Sequence, residues 1–272
     1  MYRISTSFAL LTFALSGQQL FTNMSTRTEP GGDLVMTFSG FRAMGEPTGT
    51  PYSADKVFEH TQTLSDGTHI KNDGPTEHFA RDSQGRWRME RATMRGIAGQ
   101  ESDKIVQIYD QVAGIGYILD DQNKIAHRVT PQTPQHRRAT AVAGAGRGSG
   151  VAVAGGTVSA GMVLPNQPER STEKLGSQTI EGITADGTRT TTTWPIGSRG
   201  NDRPLTDISE TWFSPQLKAT VLSKFTSLQN GESVTHLTNI SLAEPDPMLF
   251  QPPADYKIID DTDTVTITLK RH

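Results

Sequence analysis

The spacing of turns limits the fold of this chain more than any other feature of its sequence. Runs of β-branched and aromatic residues are broken repeatedly by Gly- or Asn-containing turn sequences. Residues 57–64 (VFEHTQTL) run into Asp66-Gly67, and residues 68–71 lead away. Asp-Gly between two such runs is a strong hairpin signal, because glycine accepts the positive φ of a tight turn. Residues 77–82 and 86–91 flank Ser83-Gln84-Gly85. In the second of these, Trp87 and Met89 alternate with Arg86, Arg88 and Glu90, the period of a strand with one wet face and one buried face. Residues 104–109, 115–119 and 125–129 continue the series. It resumes near Glu173: residues 178–185 lead into Asp186-Gly187, and residues 188–194 return. Residues 206–213, 217–226 and 233–242 follow. Residues 244–250 read as one short helical turn ended by Pro252-Pro253, and 256–269 as a final strand pair or a single edge strand. Short strands at turn spacing predict an open antiparallel sheet, a sandwich or a barrel.

Composition agrees with a β-rich chain. There are 26 Gly and 15 Pro in 272 residues, which suits strands and turns better than a helical bundle. The length allows one large domain or two small ones. Net charge is -3, from 26 basic and 29 acidic residues, so the basic excess of a nucleic-acid binder is missing. With no cysteine, a disulfide framework, a thiolate metal site and a cysteine nucleophile are excluded.

The N-terminus has Arg3, an apolar run over residues 8–15, and small residues at Ala14, Ser16 and Gly17. That pattern reads as a signal peptide over 1–16, with a buried N-terminal strand or helix as the alternative. The run is too short to span a membrane, which takes roughly 20 apolar residues, so no integral membrane segment is expected. Residues 17–33 are polar and unpatterned and are expected to be a disordered tail. Residues 34–272 then form a single β-rich domain. Within it, 131–170 is low in complexity, nearly all Ala, Gly, Val, Ser and Thr from residue 139, and reads as a flexible surface insertion. Export implies a periplasmic or secreted location.

No catalytic site is legible. The run Gly144-Ala145-Gly146-Arg147-Gly148-Ser149-Gly150 invites a phosphate-loop reading, but it lacks the strand before, the helix after and a lysine. His60, His69 and His78 are evenly spaced, yet a metal site needs three or four convergent ligands, and cross-strand or exposed histidines are expected instead. No Gly-x-Ser-x-Gly elbow joins a strand to a helix. Asp120-Asp121 and Asp260-Asp261 are adjacent and would face opposite sides of a strand. No enzyme, cofactor or metal is therefore expected. The aromatics Trp87, Trp194, Trp212, Phe79, Phe213 and Phe225 are expected as core, or as the lining of an apolar groove.

A family resemblance rests on the C-terminal third. Residues 210–218 (ETWFSPQLK) and 237–240 (LTNI) are followed by 244–256 (EPDPMLFQPPADY), and residues 106–128 contribute a strand, a turn at Asp110 and a strand holding Tyr117-Ile118-Leu119-Asp120. These segments, about half the chain, resemble exported bacterial proteins related to the periplasmic lipoprotein carrier (LolA-like) superfamily. The resemblance implies a mainly β fold, a curved antiparallel half-barrel with few short helices, whose concave apolar face is crossed by a helix or loop and holds acyl chains. It implies a non-enzymatic envelope protein that binds a lipid, an acyl chain or a partner protein on that face. Trp87, Met89, Tyr117 and Trp212 are the candidate inward residues. The alternatives are an envelope assembly module with a filled core, and an enzyme whose site is built from distant residues.

Overall fold

The structure, a computed structural model, describes residues 20–42, 48–92, 104–131 and 167–270. The first strands are β1 (Phe21–Thr28), β2 (Leu34–Phe41), β3 (Tyr52–Thr63) and β4 (His69–Lys71). A meander of shorter strands follows: β5 (Glu77–Arg81), β6 (Trp87–Ala92), β7 (Lys104–Asp110), β8 (Ile115–Asp120) and β9 (Ile125–Val129). Longer strands come next: β10 (Glu169–Ile180), β11 (Ile183–Trp194), β12 (Leu205–Ser214), β13 (Ala219–Ser227) and β14 (Gly231–Ser241). A 3-10 turn at Pro247–Phe250 precedes β15 (Lys257–Asp261) and β16 (Thr264–Leu269).

These strands make two sheets. The large one has the order β10-β11-β12-β13-β14-β3-β5-β6-β7-β8-β9-β15, with β4 added to β3. All its pairings are antiparallel except β9 with β15. The small one has the order β1-β2-β16. Its central strand, β2, pairs Leu34 with both Thr28 and Leu269, so the first and last strands described flank it on either side.

The small sheet lies on one face of the large one. On β16, Val265, Ile267 and Leu269 are buried, the inward half of a period-two pattern. Met36, Phe38 and Phe41 join them from β2, and Leu20 and Phe21 from the start of the chain's described part. Opposite stand Phe79, Trp87, Met89, Tyr109, Ile118 and Val129 of the large sheet. Phe21 meets Phe38 edge to face at 4.8 Å. Gly116 is a glycine for a packing reason: a Cβ there would stand 2.6 Å from Leu20 Cδ1. The small sheet thus occupies the face that a helix or loop was expected to cross.

The other face of β5–β9 is covered as well. Ala80, Val106, Ile108, Leu119 and Ala126 form a second apolar cluster beneath Phe250, flanked by Tyr117 and Tyr256. The 3-10 turn that delivers Phe250 starts at Asp246, whose Oδ1 accepts from the Met248 N–H at 2.9 Å. The hydroxyl of Tyr256 donates to Asp121, and Lys124 Nζ lies 4.9 Å from its ring. Burial, then the bond to Asp121, push the Tyr256 phenol up to about 12. Because the folded pKa exceeds the unfolded value of ~10, this residue adds stability below pH ~10 that is lost as pH rises toward 12. Tyr256→Phe is therefore expected to flatten the alkaline limb of the stability profile between pH 10 and about 12, read by urea denaturation across that range. An unchanged limb would show that Tyr256 titrates as an ordinary exposed phenol.

Three expectations need correction. Residues 21–28, expected within a disordered tail, form β1; their Asn, Ser and Thr side chains are polar because the strand is an edge with one solvated face. Asp186-Gly187, expected as a turn, lies inside β11, opposite Ser177 and Gly176. The turn comes earlier, at Glu181 (φ 49°) and Gly182 (φ 78°), between the paired Ile180 and Ile183. Residues 169–170, placed in the insertion, begin β10. The proposed signal peptide and residues 132–166 of the insertion lie outside the described residues. The short helical turn near 244–250 and the hairpin at Asp66-Gly67 are where they were expected.

Candidate functional site

Of the four candidate inward residues, three are packed. Trp87 is 0% exposed, Met89 5% and Trp212 9%, all in the main core cluster. The Trp212 ring covers Gly187 so closely that a Cβ there would lie 2.6 Å from Cη2. Tyr117 faces the opposite way: it pairs with Ile108 and Arg128 and packs on the Phe250 cluster. The four do not line one groove, because alternation along β8 sends Tyr117 to the far side from Ile118, which is in the main core. The histidines are also separated: His60 Nδ1 meets Ser233 Oγ at 3.0 Å, His69 Nδ1 meets Thr63 Oγ1 at 3.1 Å, and His78 Nδ1 meets Asp55 Oδ1 at 2.5 Å. The Asp55 carboxyl is held below its usual range, first by the bond from Asn239 and then by His78.

A different surface stands out once register is known. Strands β10 to β14 and β3 are long, and the main core cluster takes residues from only part of their length, such as Ile183, Ala185, Ala219, Leu237 and Ala54. Directly paired residues share a face. One row across these strands reads Lys174, Thr188, Thr211, Ser223, Thr235 and Phe58. The next row on the same face reads Thr172, Thr190, Ser209, Phe225, Ser233 and His60. This face continues without a register shift through Leu237, Lys56, Glu77 and Arg91, whose guanidinium reaches Met24 Sδ at 3.5 Å. It is therefore the same inner face that carries Phe79 and Met89 under the small sheet.

The two faces of this half differ in chemistry. The inner rows are mostly hydroxyls, interrupted by Phe58, Phe225 and, at the end of β11, Trp194, with Lys174 at the β10 edge and His60 on β3. Most of these side chains are half-buried, and Phe58 is exposed. The outer face has a row of Glu173, Arg189, Glu210, Lys224, Val234 and Glu59. There Arg189 bridges Glu173 and Glu210, each at 2.8 Å, and both carboxylates raise its pKa. The inner face is thus the less charged one, with methyl and aromatic surface between hydroxyls that can still bond to water or a ligand. Sequence reasoning singled out Phe225 and Trp194 but missed the hydroxyl rows, since a threonine run such as Thr190-Thr191-Thr192-Thr193 alternates between faces and only pairing sorts it.

No protein-family model and no curated protein matches this chain. Solved structures do resemble it. MucB, in complex with MucA(peri), has a TM-score of 0.36 and 10% identity, covering 77% of this chain and 56% of that one. A LolA superfamily protein from Nitrosomonas europaea has a TM-score of 0.26 and 10% identity, covering 76% of this chain and 91% of that one. LprF from Mycobacterium bovis has a TM-score of 0.27 and 13% identity, covering 72% and 90%. This chain spans little more than half the length of MucB. This chain is itself mainly β, with one large, mostly antiparallel sheet among the described residues.

Proposed function

We propose that this is a non-enzymatic, exported envelope protein that holds an apolar ligand, a lipid or acyl chain, on the inner face of strands β10 to β14 and β3. The observation that supports this reading is the contrast between the two halves of one face: filled by the small sheet over β5–β9, and beyond it left mostly to hydroxyls with Phe58, Phe225 and Trp194, Lys174 and His60 being the polar exceptions. Threonine methyls and aromatic rings suit a hydrocarbon chain, and the hydroxyls suit its polar end. A second reading, an assembly module that binds another envelope protein, is favoured by the packed state of Trp87, Met89 and Trp212.

Native mass spectrometry of the mature protein from its own envelope, followed by solvent extraction, separates the two. A lipid-sized mass that extraction removes, and that Phe225→Asp abolishes in a folded protein, is the expected result. A clean apo mass under gentle conditions, with a protein partner retained in pull-downs, would replace the carrier with the assembly module.

A further inference from the structure

Three hairpins stand side by side at the open end of the long strands. The β11–β12 hairpin closes on the pair Trp194–Leu205, the β13–β14 hairpin on Ser227–Gly231, and the β3–β4 hairpin on Thr63–His69. Cross-strand registers (Asp207 with Ser227, Glu232 with Thr61) put these closing pairs within about two residues, roughly 7 Å, of one level. Each hairpin spans two strands, so the tips repeat every ~10 Å along the sheet. Each tip carries one exposed aliphatic residue: Ile196 at 60%, Leu228 at 81% and Leu64 at 40% exposure.

We infer that this row of tips is a membrane-docking edge, with Leu64, Ile196 and Leu228 entering the hydrocarbon of a lipid bilayer. The chemistry favours a bilayer over a protein partner. The three side chains are separate, with Asp66, Ser198 and Asn230 among their polar neighbours, so they form no contiguous patch. A protein would need three matching pockets, whereas a bilayer accepts each side chain independently. Two of the tips bond part of their own backbone: Leu64 N–H donates to the Thr68 carbonyl at 2.8 Å, Gly67 N–H to Leu64 at 2.9 Å, and Gly197 N–H to Asn201 at 2.8 Å; at the third, Gln229 N–H donates to Ser227 Oγ at 3.3 Å. Asn201 Nδ2 donates to the Pro195 and Arg203 carbonyls. Paired backbone lowers the cost of leaving water. Behind the longest tip, Trp194 donates Nε1–H to Asp207 at 2.7 Å and carries Arg199 at 3.5 Å on its ring, a pairing of residue types that settles at headgroup depth.

Formal charge at this edge is balanced, with Lys71, Arg199 and Arg203 near Asp66, Asp73 and Asp202. Insertion, and not attraction to anionic lipid, should drive binding. Docking here does not depend on the ligand proposed for the inner face.

The test is co-sedimentation of the full mature chain with sucrose-loaded phosphatidylcholine vesicles at low and high salt. The wild type is expected to bind at both. The triple variant Leu64→Ser, Ile196→Ser, Leu228→Ser is expected to lose roughly tenfold in partitioning per side chain removed. Val112→Ser, an equally exposed aliphatic in the turn at the opposite end of the sheet, is expected to bind as the wild type does. Circular dichroism confirms that each variant is folded. Undiminished binding by the triple variant, binding that high salt abolishes, or no binding by the wild type would overturn the proposal.

Discussion

Trp87→Ala is expected to destabilise the protein by about 3–5 kcal/mol, the range for deleting a buried aromatic side chain. Trp87 is fully buried, pairs with Arg81 and Tyr109, and tilts against the Tyr109 ring at 6.0 Å. Its surroundings are held from two sides. Arg81, also fully buried, donates to the carbonyls of Thr50 at 2.9 Å and Leu217 at 2.7 Å and lies over the Tyr52 ring. The small sheet closes the other side. Neither wall has slack with which to refill the space, so the cavity term adds to the lost transfer energy. Trp87→Phe should cost much less. The Trp87 Nε1–H has no hydrogen-bond partner among the described residues, and removing that buried donor offsets part of the lost contact. Urea denaturation of both variants checks the pair. A cost near zero for Trp87→Ala would mean that the indole borders an empty or ligand-filled space, which would restore it as a binding residue.

How much of this was legible beforehand follows from which signals are local. Asp66-Gly67 announces its hairpin because the turn needs only its own residues, with Gly67 at φ 85°. Asp186-Gly187 carries the same letters without a turn. Gly187 is there to admit the Trp212 ring, a reason that lies on another strand. The actual turn uses Glu181 at φ 49°, a residue type that gives no warning. β1 was missed because FTNMSTRT has a strand's β-branched residues but no apolar alternation, as an edge strand needs little. The small sheet joins Leu34 to Leu269, a pairing that no local pattern encodes. The candidate site fails for the same reason. Which threonines share a face with Phe225 is fixed by five successive strand registers, and a shift of one residue in any of them would exchange the two faces.

The second large effect concerns the small sheet. Phe38→Ala is expected to cost about 3–5 kcal/mol and to do so in one cooperative transition. Phe38 is the fully buried centre of β2, paired with Met24 and Val265 and edge-on to Phe21. Among the described residues, no strand of the small sheet is laddered to a strand of the large one. Apolar packing carries most of the attachment, with few polar ties. Among these, the Lys270 N–H donates to Gln122 Oε1 at 2.9 Å, and Arg91 reaches Met24. The core cluster nevertheless runs through both sheets without a break, from Val265 and Ile267 to Trp87 and Ile118. Removing its aromatic centre should therefore lower the stability of the whole, with tryptophan fluorescence and far-ultraviolet dichroism moving together. The opposite outcome would be two transitions, the first accompanied by binding of a hydrophobic dye. In that case the small sheet lifts while the large one stays folded, and Phe79, Met89 and Trp87 are exposed on the same face as the open inner rows. The filled half would then be a removable cover, and the ligand surface would extend from Trp194 to Val129.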